Sequence, residues 1–158
     1  NGLAHVSYKK PGEYSYAELF GVARQLNLPA KSAEQLFRRM IFNVVARNHD
    51  DHSKNFAFLF DEDIGWHLAP AFDMAFSFKP GSKWVNNHWM TINGKRDEFV
   101  RKDFYTFQSL SPLFSKRKID DILNEVIASV SNWSDLAREH GVPEAFARFV
   151  ARNHRLSF

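Results

Sequence analysis

Apolar side chains recur at spacings of three and four from Leu36 through Phe37, Met40, Ile41 and Val44 to Val45. That period puts them on one face and predicts a long buried helix ending near Arg47. Ser32, with Gln35 three places on, offers this helix a capping box. Ser15 and Glu18 have the same spacing and predict an earlier helix, from Tyr16 to about Asn27, closed by Pro29. Residues 1–14 read as irregular, with Pro11-Gly12 as a breaker. After Arg47 the pattern changes. Phe56-Ala57-Phe58-Leu59-Phe60 reads as a short buried strand. Asp61-Glu62-Asp63 with Gly65 supplies a turn, and Ile64 to Leu68 returns to close a hairpin.

Residues 77–98, rich in Gly, Asn, Lys and Ser, predict an extended loop. Within it, Trp89, Thr91 and Asn93 alternate with Met90 and Ile92, which suits a single strand. Helical spacing resumes with Ile119, Ile122, Leu123, Val126, Ile127 and Val130. Ser134 is placed to cap a helix from Asp135 to His140, ended by Gly141. Pro143 suits the first turn of a last helix through about Asn153. The expected fold is mostly α with a small β-hairpin. No repeat, low-complexity segment or linker interrupts it, so residues 1–158 read as one domain.

At 158 residues there is enough chain for a real core, and a hydrophobic share of 44% is ordinary for a globular protein. Sixteen phenylalanines predict that this core is aromatic. A net charge of +3, from 21 basic and 18 acidic side chains, is too mild to argue for nucleic acid. Cysteine is absent, which excludes a disulfide scaffold and any thiolate metal site. No apolar run reaches the length of a membrane span and no signal peptide opens the chain, so a cytoplasmic protein with no membrane partner is expected.

Candidate chemistry concentrates in Asn48-His49-Asp50-Asp51-His52-Ser53-Lys54-Asn55 and in Asp73. An acidic residue, an asparagine five places on, a hairpin and a second acidic residue form the layout of a phosphoryl-transfer site. Asp50 would orient an acceptor hydroxyl and take its proton. Asn55 and Asp73 offer the hard oxygens that magnesium prefers beside nucleotide phosphates. The five-residue spacing selects Asp50 over Asp51, which is left as a hydrogen-bond acceptor in the loop. His52 and Lys54 are positioned to stabilise charge on the transferring group. The bland alternatives are a structural histidine and a solvated lysine. No glycine-rich phosphate loop precedes the motif, so the chain reads as half of a kinase. It opens on Asn1 rather than methionine, which points to a piece processed or excised from something longer.

Asn48-x-Asp50-Asp51-His52-x-Lys54-Asn55-Phe56, followed by Trp66-x-Leu68-Ala69-Pro70-Ala71-Phe72-Asp73, resembles the C-terminal half of HipA-like proteins. These are bacterial serine/threonine protein kinases that act as toxins of toxin–antitoxin systems. The resemblance runs from about Tyr16 to Trp133 and includes His88 to Lys95. It implies the C-terminal lobe of a protein-kinase-like fold, with Mg and ATP as cofactors and a protein hydroxyl as acceptor. One characterised type of target is an aminoacyl-tRNA synthetase. A helix-turn-helix antitoxin is the implied partner, with DNA reached only through it. By motif, Asp50 takes the catalytic aspartate role, and Asn55 and Asp73 the metal-binding roles. The family's N-terminal nucleotide lobe has no counterpart here. Lys9 and Lys10 lie in no strand–helix context that would make either a phosphate lysine. The isolated chain is therefore expected to bind ATP poorly and to be inactive alone.

Three rivals stand beside this. A lipid or small-molecule phosphotransferase of kinase-like fold would share the chemistry, and Lys79, Lys83, Trp84 and Trp89 give it a basic, aromatic loop. A metal-dependent phosphohydrolase would draw on the His49-Asp50 pair, with His52 and His67 completing a site. A DNA-binding module would use Lys116-Arg117-Lys118 with Arg148, Arg152 and Arg155, although a solvated helix face explains the same residues.

Overall fold

The structure, a computed structural model, describes residues 9–158. The expectation of an irregular start falls partly outside these residues. Six helices and one hairpin follow in chain order: α1 (Tyr16–Gln25), α2 (Ala30–Val45), β1 (Phe58–Asp61), β2 (Gly65–Leu68), α3 (Arg101–Phe104), α4 (Lys116–Ser131), α5 (Trp133–Glu139) and α6 (Glu144–Asn153). Single 3₁₀ turns cover Ser53–Asn55 and Tyr105–Ser109. The result is mostly helical with one antiparallel hairpin, as expected. Among the described residues, no helix is long and apolar enough to cross a membrane.

Each helix begins and ends for local reasons. Ser15 caps α1 through its Oγ, which accepts from the Glu18 N–H, and Glu18 returns a bond to the Ser15 N–H. Asn27 takes a positive φ after α1, and Leu28 N–H then reaches the Ala23 carbonyl. That is the Schellman closure, which satisfies carbonyls otherwise left bare. The α2 helix starts two residues before the expected Ser32 cap. Pro29 occupies the N-cap with φ −56° and no side-chain cap is formed. The proline ring already holds a φ compatible with the first turn, so Pro29 opens α2 rather than closing α1. Ser134 likewise lies inside α5, which Asn132 precedes, and Pro143 is the N-cap of α6.

The apolar stripe of α2 packs on that of α4, Ile119, Ile122, Leu123 and Val126. Arg38 to Glu125 and Lys118 to Glu34 rivet the same helix pair at its rim. Beside this seam the phenylalanines gather. Phe37 stacks on Phe114 with ring centroids 4.8 Å apart, and Phe20 and Phe107 meet them edge-on. The expected aromatic core is therefore present, and it meets α2 at Phe37, near the middle of the helix.

Two strand expectations need correction. The run from Phe56 is not a buried strand. Phe56 is buried, but β1 starts at Phe58, and Leu59 and Phe60 are 46% and 61% exposed. A two-stranded hairpin has no third strand or second layer to cover its outer face. Residues 89–93 form isolated bridges rather than a strand, Thr91 with Ser15 and Ile92 with Lys95. Their apolar members are nonetheless buried, because Asp103 holds the segment from the other side. It accepts bonds of 2.8 Å from Asn93 and from Lys95.

Candidate active site

The motif leaves α2 through a second Schellman closure. Arg47 adopts φ 59° and Asn48 N–H bonds to the Asn43 carbonyl. An arginine in this left-handed region costs energy that a glycine would not. Its side chain explains the choice. Arg47 donates to the Asn153 carbonyl, pairs with Asp97 and covers the Phe78 ring. The next residues pair with the chain beyond Asp73: Ser77 N–H bonds to the Arg47 carbonyl, and His49 N–H to the Ser77 carbonyl. Two segments about thirty residues apart are thus laced together backbone to backbone.

That lacing brings Asn55 to Asp73. Asn55 Nδ2 donates to Asp73 Oδ2 at 2.8 Å and to the Asp50 backbone carbonyl at 2.9 Å. Both amide hydrogens are therefore used, and the amide oxygen is directed away from them. Asp73 is exposed and sits at φ 55°, which aspartate tolerates better than most residues. Its carbonyl accepts from Asn48, while Arg39 of α2 donates to the Ala69 carbonyl at 2.7 Å. Three of the sequence-selected residues, Asp50, Asn55 and Asp73, therefore adjoin one another. The Asp50 carboxylate is partly exposed, with His52 Nε2 3.8 Å from it. His52 is largely enclosed and meets the Trp89 ring edge-on at 6.0 Å. Lys54 is exposed on the 3₁₀ turn.

Asp51 is more than the loop acceptor expected of it. It is fully buried, and its carboxylate takes three donors from two other parts of the chain. Tyr16 O–H lies at 2.7 Å, Trp89 N–H at 2.7 Å and His88 Nδ1 at 2.9 Å. Asn43 donates to the Tyr16 oxygen at 3.0 Å, and Asn48 donates to Asn43 at 2.9 Å. Burial, and then the Asp51 charge, push the Tyr16 hydroxyl well above its ordinary pKa, so it remains a donor. The only sequence signal for this hub is an acid beside the motif aspartate. Its partners lie 35 to 38 residues away and carry no local pattern.

His49 is also buried. Its Nδ1 donates to the Asn86 carbonyl and its ring lies 4.1 Å from that of His88. Burial, followed by His88, lowers its pKa to about 3. Among the described residues, no three His, Asp or Glu side chains gather as a metal site, and His67 sits apart on the hairpin. The phosphohydrolase arrangement is therefore not assembled. The basic residues weighed as a DNA face are mostly engaged within the chain. Lys118 pairs with Glu34, Arg117 with Asp121, Arg148 with Glu144 and Arg155 with Asp97. Lys116 lies over the Tyr105 ring. Lys10 pairs with Glu13 at the surface, far from a phosphate-lysine setting.

The family described as HipA-like C-terminal domain matches residues 1–134. Among solved structures, the chain is similar to HipA of Shewanella oneidensis MR-1, determined as a toxin–antitoxin complex with HipB and operator DNA. The TM-score is 0.67 at 19% identity, over 87% of this chain and 33% of that one. At that identity the likeness is one of fold, and the chain spans about a third of the solved HipA chain (33%). No curated protein matches the sequence.

Proposed function

The chain belongs to the family of HipA-like C-terminal domains, and from that premise we propose that it forms the catalytic lobe of a serine/threonine protein kinase. The kinase would transfer the ATP γ-phosphate to a protein hydroxyl. The observation that carries this reading is the 2.8 Å contact between Asn55 and Asp73 beside Asp50. It holds the Asn55 side-chain amide, through its nitrogen, against the Asp73 carboxylate at the surface, next to a second, partly exposed carboxylate.

The donor set fits magnesium. Both candidate ligands are hard oxygens, two protein ligands suffice beside phosphates, and Asp73 is open to solvent. Asn55 and Asp73 would hold the ion. Bound Mg-ATP would supply the phosphoryl group, with the metal neutralising its charge. Asp50 would orient the acceptor hydroxyl and receive its proton. His52, close to Asp50, would keep that carboxylate in place, and Lys54 would add positive potential.

The second lobe would come from elsewhere in a longer protein or from a separate polypeptide. The sequence contains no glycine-rich phosphate loop. Leu59, Phe60, Ile64 and Phe72 are exposed apolar side chains on and just after the hairpin, the kind that a partner covers. The similar HipA was solved with HipB and DNA. By extension, a helix-turn-helix antitoxin is the proposed partner here, with DNA reached through it. The proposed target is a protein such as an aminoacyl-tRNA synthetase.

Calorimetry with Mg-ATP tests the reading. The chain alone should bind weakly, and the two-lobed protein tightly, with binding lost in both for Asp73→Ala. Micromolar binding by the chain alone would overturn the two-lobe requirement. Near-normal turnover of the two-lobed protein carrying Asp50→Ala would overturn the kinase assignment.

A further inference from the structure

The segment from Met74 to Arg96 contains no acidic residue, yet it carries Lys79, Lys83, Lys95 and Arg96. Lys95 is held by Asp103 and Arg96 by the His88 carbonyl. Among the described residues, Lys79 and Lys83 meet no acidic side chain. Between them and Asn86 the chain closes on itself. Ser82 Oγ accepts from the Trp84 and Val85 N–H groups, Gly81 N–H bonds to Asn86 Oδ1, and Lys79 N–H bonds to the Val85 carbonyl. The product is a rigid turn that presents Trp84, 53% exposed. Its indole lies parallel to that of Trp89, with centroids 5.9 Å apart and an interplanar angle of 4°. Lys83 Nζ sits 5.0 Å from the Trp84 ring centroid.

These rings run back to the candidate site. Trp89 meets His52 edge-on, and His52 Nε2 lies 3.8 Å from the Asp50 carboxylate. An exposed indole, with an ammonium over it that meets no carboxylate among the described residues, is thus connected by contacts to the residue that would receive the acceptor hydroxyl. We propose that Lys83 and Trp84 form a recognition shelf for the acceptor protein. It would select an extended segment with an acidic side chain close to the phosphorylated serine or threonine. The carboxylate would pair with Lys83, with Lys79 adding field, and the neighbouring apolar side chain would cover Trp84. Because the turn is already closed, little ordering entropy is lost on binding. The ring path is no longer than the reach of about five or six extended residues, which sets how far the acid lies from the hydroxyl.

This inference rests on the kinase reading, which makes the bound segment the acceptor. A basic, aromatic loop also suits an anionic membrane. Here, however, Trp89 is buried, and the exposed indole lies flat against it instead of protruding. That geometry favours a peptide.

The test is fluorescence anisotropy with labelled peptides carrying a central serine and flanked by glutamate, alanine or lysine. No nucleotide is needed. The glutamate peptide should bind the chain at least tenfold more tightly than the other two. Trp84→Ala and Lys83→Glu should each weaken it about tenfold, and Lys83→Glu should shift preference toward the lysine peptide. Arg117→Glu, on the exposed face of α4, should change nothing. Equal affinity for all three peptides would overturn the proposal, as would equal losses in Arg117→Glu and Lys83→Glu. So would binding to phosphatidylserine vesicles in preference to the peptide. Asp73→Ala separates the two readings, since it should leave peptide binding intact while removing Mg-ATP binding.

Discussion

The Asp51 carboxylate and the His88 imidazole meet 2.9 Å apart, both closed off from solvent. Since Asp51 also receives the Tyr16 hydroxyl and the Trp89 N–H, it is an acceptor with three donors and no exposure. The pair ties the motif loop to the segment that carries Trp89, and through Tyr16 to α1. Removing the carboxylate would leave three buried donors without a partner. Asp51→Ala is therefore expected to cost about 3 kcal/mol or more, at about 1–3 kcal/mol for each buried donor left unsatisfied. Asp51→Asn should cost less, because one oxygen remains to accept. Urea denaturation of the two variants checks this. A loss below about 1 kcal/mol for Asp51→Ala would remove the hub from the account of stability.

Asp73 offers the opposite trade. Its φ of 55° is one that glycine adopts without strain, and its side chain is exposed. The Asn55 bond at 2.8 Å lies at the surface, so its net contribution is small. Asp73→Gly should therefore keep the melting temperature, or raise it by an amount worth up to about 1 kcal/mol. The same change should remove Mg-nucleotide binding from the two-lobed protein. Calorimetry and thermal denaturation on one preparation separate the effects. A large drop in melting temperature would mean that Asp73 is there for the fold.

The start of α1 gives a smaller, cleaner prediction. Ser15 Oγ accepts from the Glu18 N–H at 3.1 Å. Ser15→Ala should cost about 1 kcal/mol, as N-cap removal usually does. Because Tyr16 follows directly and donates to Asp51, any loosening of this turn should also speed amide exchange at Trp89. Unchanged exchange would show that the cap and the hub are independent.

What could be read in the sequence was what local spacing encodes. The α2 and α4 stripes, the Ser15 capping box and the hairpin turn are all short-range patterns, and the structure contains them. Ser32 and Ser134 misled because a capping residue is also an ordinary helix residue, and Pro29 and Asn132 start those helices earlier. Phe58 to Phe60 misled because apolar composition cannot reveal that no other layer covers β1. In the site, the five-residue spacing from Asp50 to Asn55 was legible, and Asp73 was picked out by its place after the hairpin. The Asp51 hub was not, since its partners are set by tertiary packing over 35 or more residues.

His49 yields a pH prediction whose sign is fixed by its surroundings. Its ring is enclosed by His88, Phe78 and Arg47, with Nδ1 on the Asn86 carbonyl. Burial, then His88 and to a smaller extent Arg47, lower its pKa from 6.5 to about 3. Between those values the unfolded chain binds a proton that the folded chain refuses, so stability falls as pH falls. From pH 7.5 to pH 5 the loss should be about 2 kcal/mol. For a chain of this size that lowers the melting temperature by roughly 4–8 °C. His154, also lowered by burial, acts in the same direction. Glu34, Asp97 and Asp103, whose pKa values are lowered below the ordinary carboxylate range, lose their contributions only in more acidic solution. His49→Gln should therefore flatten the slope of melting temperature against pH above pH 5 without abolishing it. An unchanged slope in that variant would show that His49 is not the group being titrated.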